Sequence, residues 1–234
     1  MPLSSSVFAL ILLFSLPAFC HASTGDELVF SAPAGFTELA DKESDLFTDT
    51  EQYAVRHGKL LKMYLPQYMA QQYRYGNRDA VTRQVIICTV NEQHRDLDQK
   101  DAEILARSYE AFFNGFSLIP RNRTDTPAQE MENRRKALEN SLKTGSPLLV
   151  ESLRTSHAYL YTCLIHHNMA ESGLKSYLTV ALACAVVPVK NTVLFITVSS
   201  FLGNDPPQPH LDFVKETAVK FSEQIARKNK ADKR

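Results

Sequence analysis

The part of this chain that most constrains its fold lies between Ser152 and Phe201. After a polar start it reads Tyr-Leu-Tyr-Thr-Cys-Leu-Ile-His-His, then a polar link, then Ser-Tyr-Leu-Thr-Val-Ala-Leu-Ala-Cys-Ala-Val-Val, a short turn, and Thr-Val-Leu-Phe-Ile-Thr-Val-Ser-Ser-Phe. Runs rich in β-branched and aromatic residues, broken by tight polar links, spell an antiparallel meander. In its first run Tyr159, Tyr161, Cys163 and Ile165 fall on one face, and Leu160, Thr162, Leu164 and His166 on the other. The middle run, Val180 to Val187, is apolar on both faces, which makes it the most deeply buried strand. The stretch fixes an architecture but sets no reactive group in a reactive setting.

Upstream, Leu28-Val29-Phe30, Lys59 to Leu65 and Arg83 to Val90 read as further strands, the second ended by Pro66. Phe36 and Leu39, after the Pro33-Ala34-Gly35 turn, are expected to tuck under the sheet. Asp98 or Asp101 opens a helix through Asn114, with Leu105, Tyr109, Phe112 and Phe116 at helical spacing. Thr126-Pro127-Ala128-Gln129 is a capping box with proline at the first helical position, starting a helix that runs to about Lys143 and closes at Gly145. Its apolar stripe, Met131, Leu138 and Leu142, is thin, so it is a peripheral helix. Val214, Ala218, Phe221 and Ile225 mark a last helix from Pro209 to about Lys228 that lies across the sheet. The fold class is therefore α+β: one antiparallel sheet of about six strands, ending in the three-stranded meander and covered by two or three helices.

The first 22 residues read as an export signal. Val7 to Leu16 is apolar but short of the roughly 20 residues that span a bilayer. Pro17 breaks it, and Cys20-His21-Ala22 offers small residues for cleavage after Ala22. Residues 23–234 then form a single domain, periplasmic or secreted, without a transmembrane segment. Lysine plus arginine equals aspartate plus glutamate at 26 each, so no basic excess points to nucleic acid. The one local excess is a C-terminal tail from about residue 228, expected to be solvated and frayed.

Reactive constellations are scarce. Neighbours on a strand point to opposite faces, so His166 and His167 do not share a metal ion, and no Cys-x-x-Cys or His-Glu-x-x-His occurs. There is no Gly-x-Ser-x-Gly elbow, and 8 glycines form no phosphate-cradling loop, so no cofactor is implied. Catalytic and metal-binding residues are accordingly assigned to none. Cys88, Cys163 and Cys184 lie in apolar runs and read as buried thiols, with a Cys163–Cys184 bridge left open. His157 and His166, the histidines nearest a conceivable hydrolase site, stand roughly 30 Å apart along one strand and cannot form one site.

The surface with the most recognition character is the interleaved passage Tyr68, Tyr73, Arg74, Tyr75 and Arg78, expected at a sheet edge. It makes the leading functional reading a non-enzymatic accessory or binding protein of the bacterial cell envelope with an envelope protein as partner. Two other readings stay open. One is a secreted hydrolase without a recognisable motif, the other a carrier of a small apolar ligand held between the Phe112 helix and the sheet.

The order of elements also resembles a known family. Ala32-Pro33-Ala34-Gly35-Phe36 is similar to the opening of many exported bacterial members of the PsbP/Mog1-like α/β/α sandwich family, and Val193-Leu194-Phe195-Ile196 with the last helix resembles their closing strand and helix. The helix from Thr126 to Lys143 departs from their pattern. The resemblance implies an accessory or assembly protein without catalysis, and carries over no site residues.

Overall fold

The computed structural model describes residues 28–39, 45–46, 48, 50, 59–89, 99–120, 124–168, 177–190 and 192–229. The expected export signal, the polar link around Gly173, the last five residues and most of the acidic run from Asp41 to Glu51 lie outside them. The described strands are β1 (Phe36–Glu38), β2 (Lys59–Pro66), β3 (Arg83–Thr89), β4 (Ser117–Leu118), β5 (Leu148–Arg154), β6 (Tyr159–Asn168), β7 (Tyr177–Val189) and β8 (Thr192–Phe201). They form one open sheet in the order β1-β2-β3-β8-β7-β6-β5-β4. Every pairing is antiparallel except the short parallel contact of β4 with β5.

The meander is present, with one addition. The run from Ser152 to His167 is not a single strand: residues 155–158 turn the chain, and β5 and β6 pair across that turn. The Thr155 hydroxyl caps it, accepting from Ala158 N at 2.9 Å and from His157 N at 3.2 Å. Polar turn residues that bond their own backbone make such reversals without glycine or proline, which is why composition alone hid this one. With β1 and β4, too short to leave a pattern, the sheet reaches eight strands rather than about six.

Four helices accompany the sheet among the described residues: α1 (Gln67–Arg74), α2 (Gln99–Phe112), α3 (Pro127–Thr144) and α4 (Pro207–Lys228). The sheet separates two cores. On one face α1 and α2 cover Met63, Ile86, Cys184, Tyr161 and Phe195. On the other α3 and α4 cover Val85, Leu164 and Ile196, and Leu211 and Phe221 of α4 pack into the same core. β7 runs through the middle and is buried on both sides, as its sequence predicts. It turns Val180, Leu182, Cys184 and Val186 to the first face, and Ala181, Ala183 and Ala185 to the second. That alanine row lets α4 settle close to the strand, where Val214, Ala218, Phe221 and Ile225 are all buried. Burying a large apolar side chain such as Phe221 contributes about 3 kcal/mol.

The caps of α3 form as its sequence dictates. Thr126 Oγ1 accepts from Gln129 N at 3.3 Å, Gln129 Oε1 accepts from Thr126 N at 2.8 Å, and Gly145 ends the helix in the left-handed region at φ 68°. Its inner stripe is thinner than expected: Leu138 and Ser141 are buried, whereas Met131 and Leu142 are exposed. On α2 the inward positions are Ala102, Leu105 and Ala106, and Phe113, in a short 3-10 turn after the helix, is buried as well. The side chains of Tyr109 and Phe112 lie outside the described residues. Leu28-Val29-Phe30 is not a strand; it runs extended along the end of α4, held by side chains rather than by a ladder.

Candidate functional site

Strand β2 ends at Pro66, and the aromatic passage that follows begins as the helix α1. Its inner side is fixed by Met69 and Ala70, both buried in the first core. Tyr73 lies on that side, partly buried, and its hydroxyl accepts from Leu46 N at 3.3 Å. Gly76, at φ 86°, ends the helix. Gly76 N donates to Tyr73 O at 2.9 Å and Asn77 N to Gln72 O at 3.0 Å, the paired bonds of a Schellman termination. Glycine is needed there because a side chain at that φ is strained.

This geometry divides the residues singled out in the sequence. Tyr68 and Tyr75, seven positions apart, lie two helical turns apart on the outer face, 57% and 87% exposed. Arg74 is exposed beside them, in the last turn of the helix. Arg78, just beyond, donates to Asp45 at 2.5 Å with both side chains largely exposed. Tyr73 is thus a foundation of this surface, not part of it. The surface sits at the β1–β2 end of the sheet, because α1 packs on those two strands.

Two histidines elsewhere make built polar contacts. His166 joins α3 to the sheet. Ser141 Oγ donates to Ser146 O at 2.8 Å, so it accepts from His166 Nε2 at 2.8 Å, and His166 Nδ1 accepts from Thr179 Oγ1 at 3.0 Å. The ring is neutral, its pKa lowered by burial and then by neighbouring His167. Because His166 donates to the serine, it does not act on Ser141 as a base. His167, on the opposite face, has Nε2 buried and without a hydrogen-bond partner among the described residues.

The second contact set was not found by sequence reasoning. Arg83 Nε donates to Ser200 Oγ at 3.2 Å, and Ser200 Oγ lies 2.8 Å from His210 Nδ1. His210 Nε2 faces Asp205 Oδ2 at 3.6 Å. Serine, histidine and aspartate in this order have the residue types of a nucleophilic triad. Ser200, however, is 0% exposed and already carries the Arg83 guanidinium, which also lies 4.4 Å over the Phe213 ring. No substrate carbonyl reaches such a hydroxyl. The group works as a clasp, tying β3 and β8 to the first turn of α4. Burial first, then Arg83, lowers the His210 pKa, with Asp205 opposing both. His157, the other histidine considered, sits in the β5–β6 turn.

The space considered for an apolar ligand contains ring contacts of the protein's own. Phe113 lies 5.0 Å from Phe116 and 5.2 Å from Tyr161. The cysteines Cys88, Cys163 and Cys184 are buried thiols, none of them in a disulfide. Cys163 pairs in register with Leu182 and Cys184 with Tyr161, so the two sulfurs are offset by two residues. Burial pushes the Cys88 thiol up to about 12, which keeps it protonated. Among the described residues no group of three or more His, Cys, Asp or Glu is placed to hold a metal ion, and no helix is long and apolar enough to cross a membrane.

No protein-family model matches the chain, and no curated protein matches it. The PsbP/Mog1-like resemblance therefore stays unconfirmed, although helices do cover both faces of the sheet. Among solved structures, the chain is similar to the crystal structure of LpqN, involved in cell envelope biogenesis of Mycobacterium tuberculosis. The likeness covers 89% of this chain and 87% of that one, at 9% identity and a TM-score of 0.32, too low to carry an inference about function.

Proposed function

We propose that this chain is an exported, non-catalytic binding protein of the bacterial cell envelope that engages a protein partner through the outer face of α1. One observation carries the reading. Tyr68 and Tyr75 project from a helix whose other side is locked into the core, and Tyr75 is 87% exposed. Tyrosine offers a large, rigid contact area with a polar tip, and arginine adds planar donors, which is why both recur at interface hot spots. Arg74 and Arg78 flank the pair and favour a partner surface that presents carboxylates or carbonyls. Because α1 is held at both ends, by Pro66 and by the Gly76 termination, little ordering entropy is lost on docking.

The test is a pull-down of residues 23–234 from envelope extract, comparing wild type with the Tyr68→Ala/Arg74→Ala/Tyr75→Ala variant. Partner recovery should fall by about tenfold or more, as for loss of a hot-spot cluster, with an unchanged melting temperature. Equal recovery by both proteins would sink the reading.

A further inference from the structure

At the end of the sheet away from α1, strand β5 keeps an open edge. β4 lies beside it only at Leu148 and Leu149, so among the described residues 150–154 have no strand on their outer side. Two backbone bonds fix which groups face out. Thr155 N donates to Ala158 O at 2.8 Å across the turn, and Ser117 N donates to Pro147 O at 2.9 Å from β4. In an antiparallel ladder, residues that turn N–H and C=O toward the neighbouring strand alternate with residues that turn them away. Counted along β6 from Ala158, the residues bonded to β5 are Leu160, Thr162 and Leu164, in register with Leu153, Glu151 and Leu148. From the other end, Pro147 O faces β4, so Leu148 faces β6, and the two counts agree. Ser152 and Arg154 therefore point their N–H and C=O outward, and both residues are exposed.

The edge lacks the devices that usually keep a strand edge unpaired. It carries two charges, and both are engaged within the chain: Glu151 with Lys215 Nζ at 2.7 Å, and Arg154 with Glu103 at 3.1 Å while it lies over the Tyr159 ring. Apolar side chains gather around it. Leu118 on β4 is 63% exposed and Leu153 on β5 38%. Met131 and Leu142 are exposed on α3, the helix packed on β5, and exposed Ile104 follows Glu103.

We propose that β5 pairs antiparallel with β5 of a second copy of this chain about a twofold axis at Leu153, joining two sheets into one. In that register Ser152 of each copy meets Arg154 of the other, and their outward N–H and C=O groups bond each other on both sides of the axis. Leu153 meets its own counterpart in the non-hydrogen-bonded position between them, about 4.5 Å apart at Cα. The paired run, residues 151–155, stops short of Leu149, where β4 already occupies the edge. A second copy fits because this edge is complementary to itself: in antiparallel order it presents both outward residues and the leucine between them, and it brings no unpaired charge. The proposal is independent of the α1 surface, which lies at the other end of the sheet.

Sedimentation of the full chain over a wide concentration range should show a monomer–dimer equilibrium. Ser152→Pro removes an outward N–H that the chain's own sheet does not use, a change that edge strands accept. It should weaken the dimer about tenfold or more while circular dichroism stays unchanged. Leu153→Lys and Leu153→Glu each set like charges directly opposite one another, so each alone should be monomeric where the wild type dimerises. Mixed, the two should form a heterodimer, because this register puts residue 153 against itself. A monomer at all concentrations overturns the proposal; if that monomer binds a synthetic Glu-Ser-Leu-Arg-Thr peptide, the edge belongs to a foreign extended segment. A dimer indifferent to all three substitutions forms elsewhere and overturns it too, as do charged variants whose mixture stays monomeric. Should the proline variant not fold, the charge pair decides alone.

Discussion

At the scale of single residues, the positions that resist sequence reading are polar groups inside the sheet. Tyr64 is buried against Phe221, ring centroids 5.2 Å apart, and its hydroxyl has no hydrogen-bond partner among the described residues. Burial first and the Glu38 carboxylate second raise its pKa, so the phenol stays protonated. A buried, unpaired hydroxyl costs about 1–3 kcal/mol. Tyr64→Phe keeps the ring and removes the orphan, so it should raise stability by about 1 kcal/mol in urea denaturation. A loss of stability would mean that the hydroxyl is hydrogen bonded in solution. The same scale explains the sequence misreadings. Tyr73 and Tyr75 look alike in a list of residues, yet one props up the surface and the other is most of it. Ser200, Asp205 and His210 have no motif spacing, and only the approach of β3 to β8 and of α4 to both brings them together with Arg83.

At the scale of elements, regular periodicity and terminal chemistry were legible. The capping box placed α3 to within a residue, and the four-residue stripe placed the buried side of α4, because both depend only on neighbours within a turn. The middle strand was legible because both its faces are apolar. β1, β4 and the residues 155–158 turn were not, since two- and three-residue strands carry no period and the turn bonds its own hydroxyl. α1 was missed for the opposite reason: a Tyr-Gln-Arg composition hid a short helix whose buried side is only Met69 and Ala70 plus part of Tyr73. What the sequence does not display is closeness of approach. Ala183 is fully buried under α4 in the same core as Val214 and Phe221. Ala183→Leu should push that helix off the strand and cost about 1–3 kcal/mol by thermal denaturation. Ala183→Gly, which leaves the approach open, tests whether crowding rather than any change at the site is responsible. A well-tolerated leucine would mean that the α4 layer is loosely seated.

At the scale of the whole molecule, α3 and α4 form one covering layer, and each is joined to the sheet by a neutral histidine. His166 accepts from Thr179, and His210 Nδ1 lies against Ser200 with Arg83 behind it. Both folded pKa values are lowered, by burial before any charge, from an ordinary value of 6.5. The unfolded chain therefore binds more protons than the folded one below that value, and stability rises with pH through the window. The melting temperature should be flat above about pH 7 and fall as pH drops toward about 5. His166→Gln/His210→Gln, which cannot titrate, should make the profile shallower, with His167, its pKa also lowered by burial, left to titrate. An unaltered slope would place the acid sensitivity in other groups.

The order of the sheet bears on how the chain assembles. β5 to β8 pair with their neighbours in sequence, so they and α4 can form from local contacts. β3 instead completes its ladder with β8, and the Arg83–Ser200 bond spans 117 residues. Pairings that close so long a loop come late, because the entropy of closure precedes any contact that offsets it. Until the chain has been made through Phe201, the pair of β2 and β3 carries an open, apolar edge with no native neighbour. During synthesis the first third of this protein is therefore the part that needs shielding, and the last third is what ends that need.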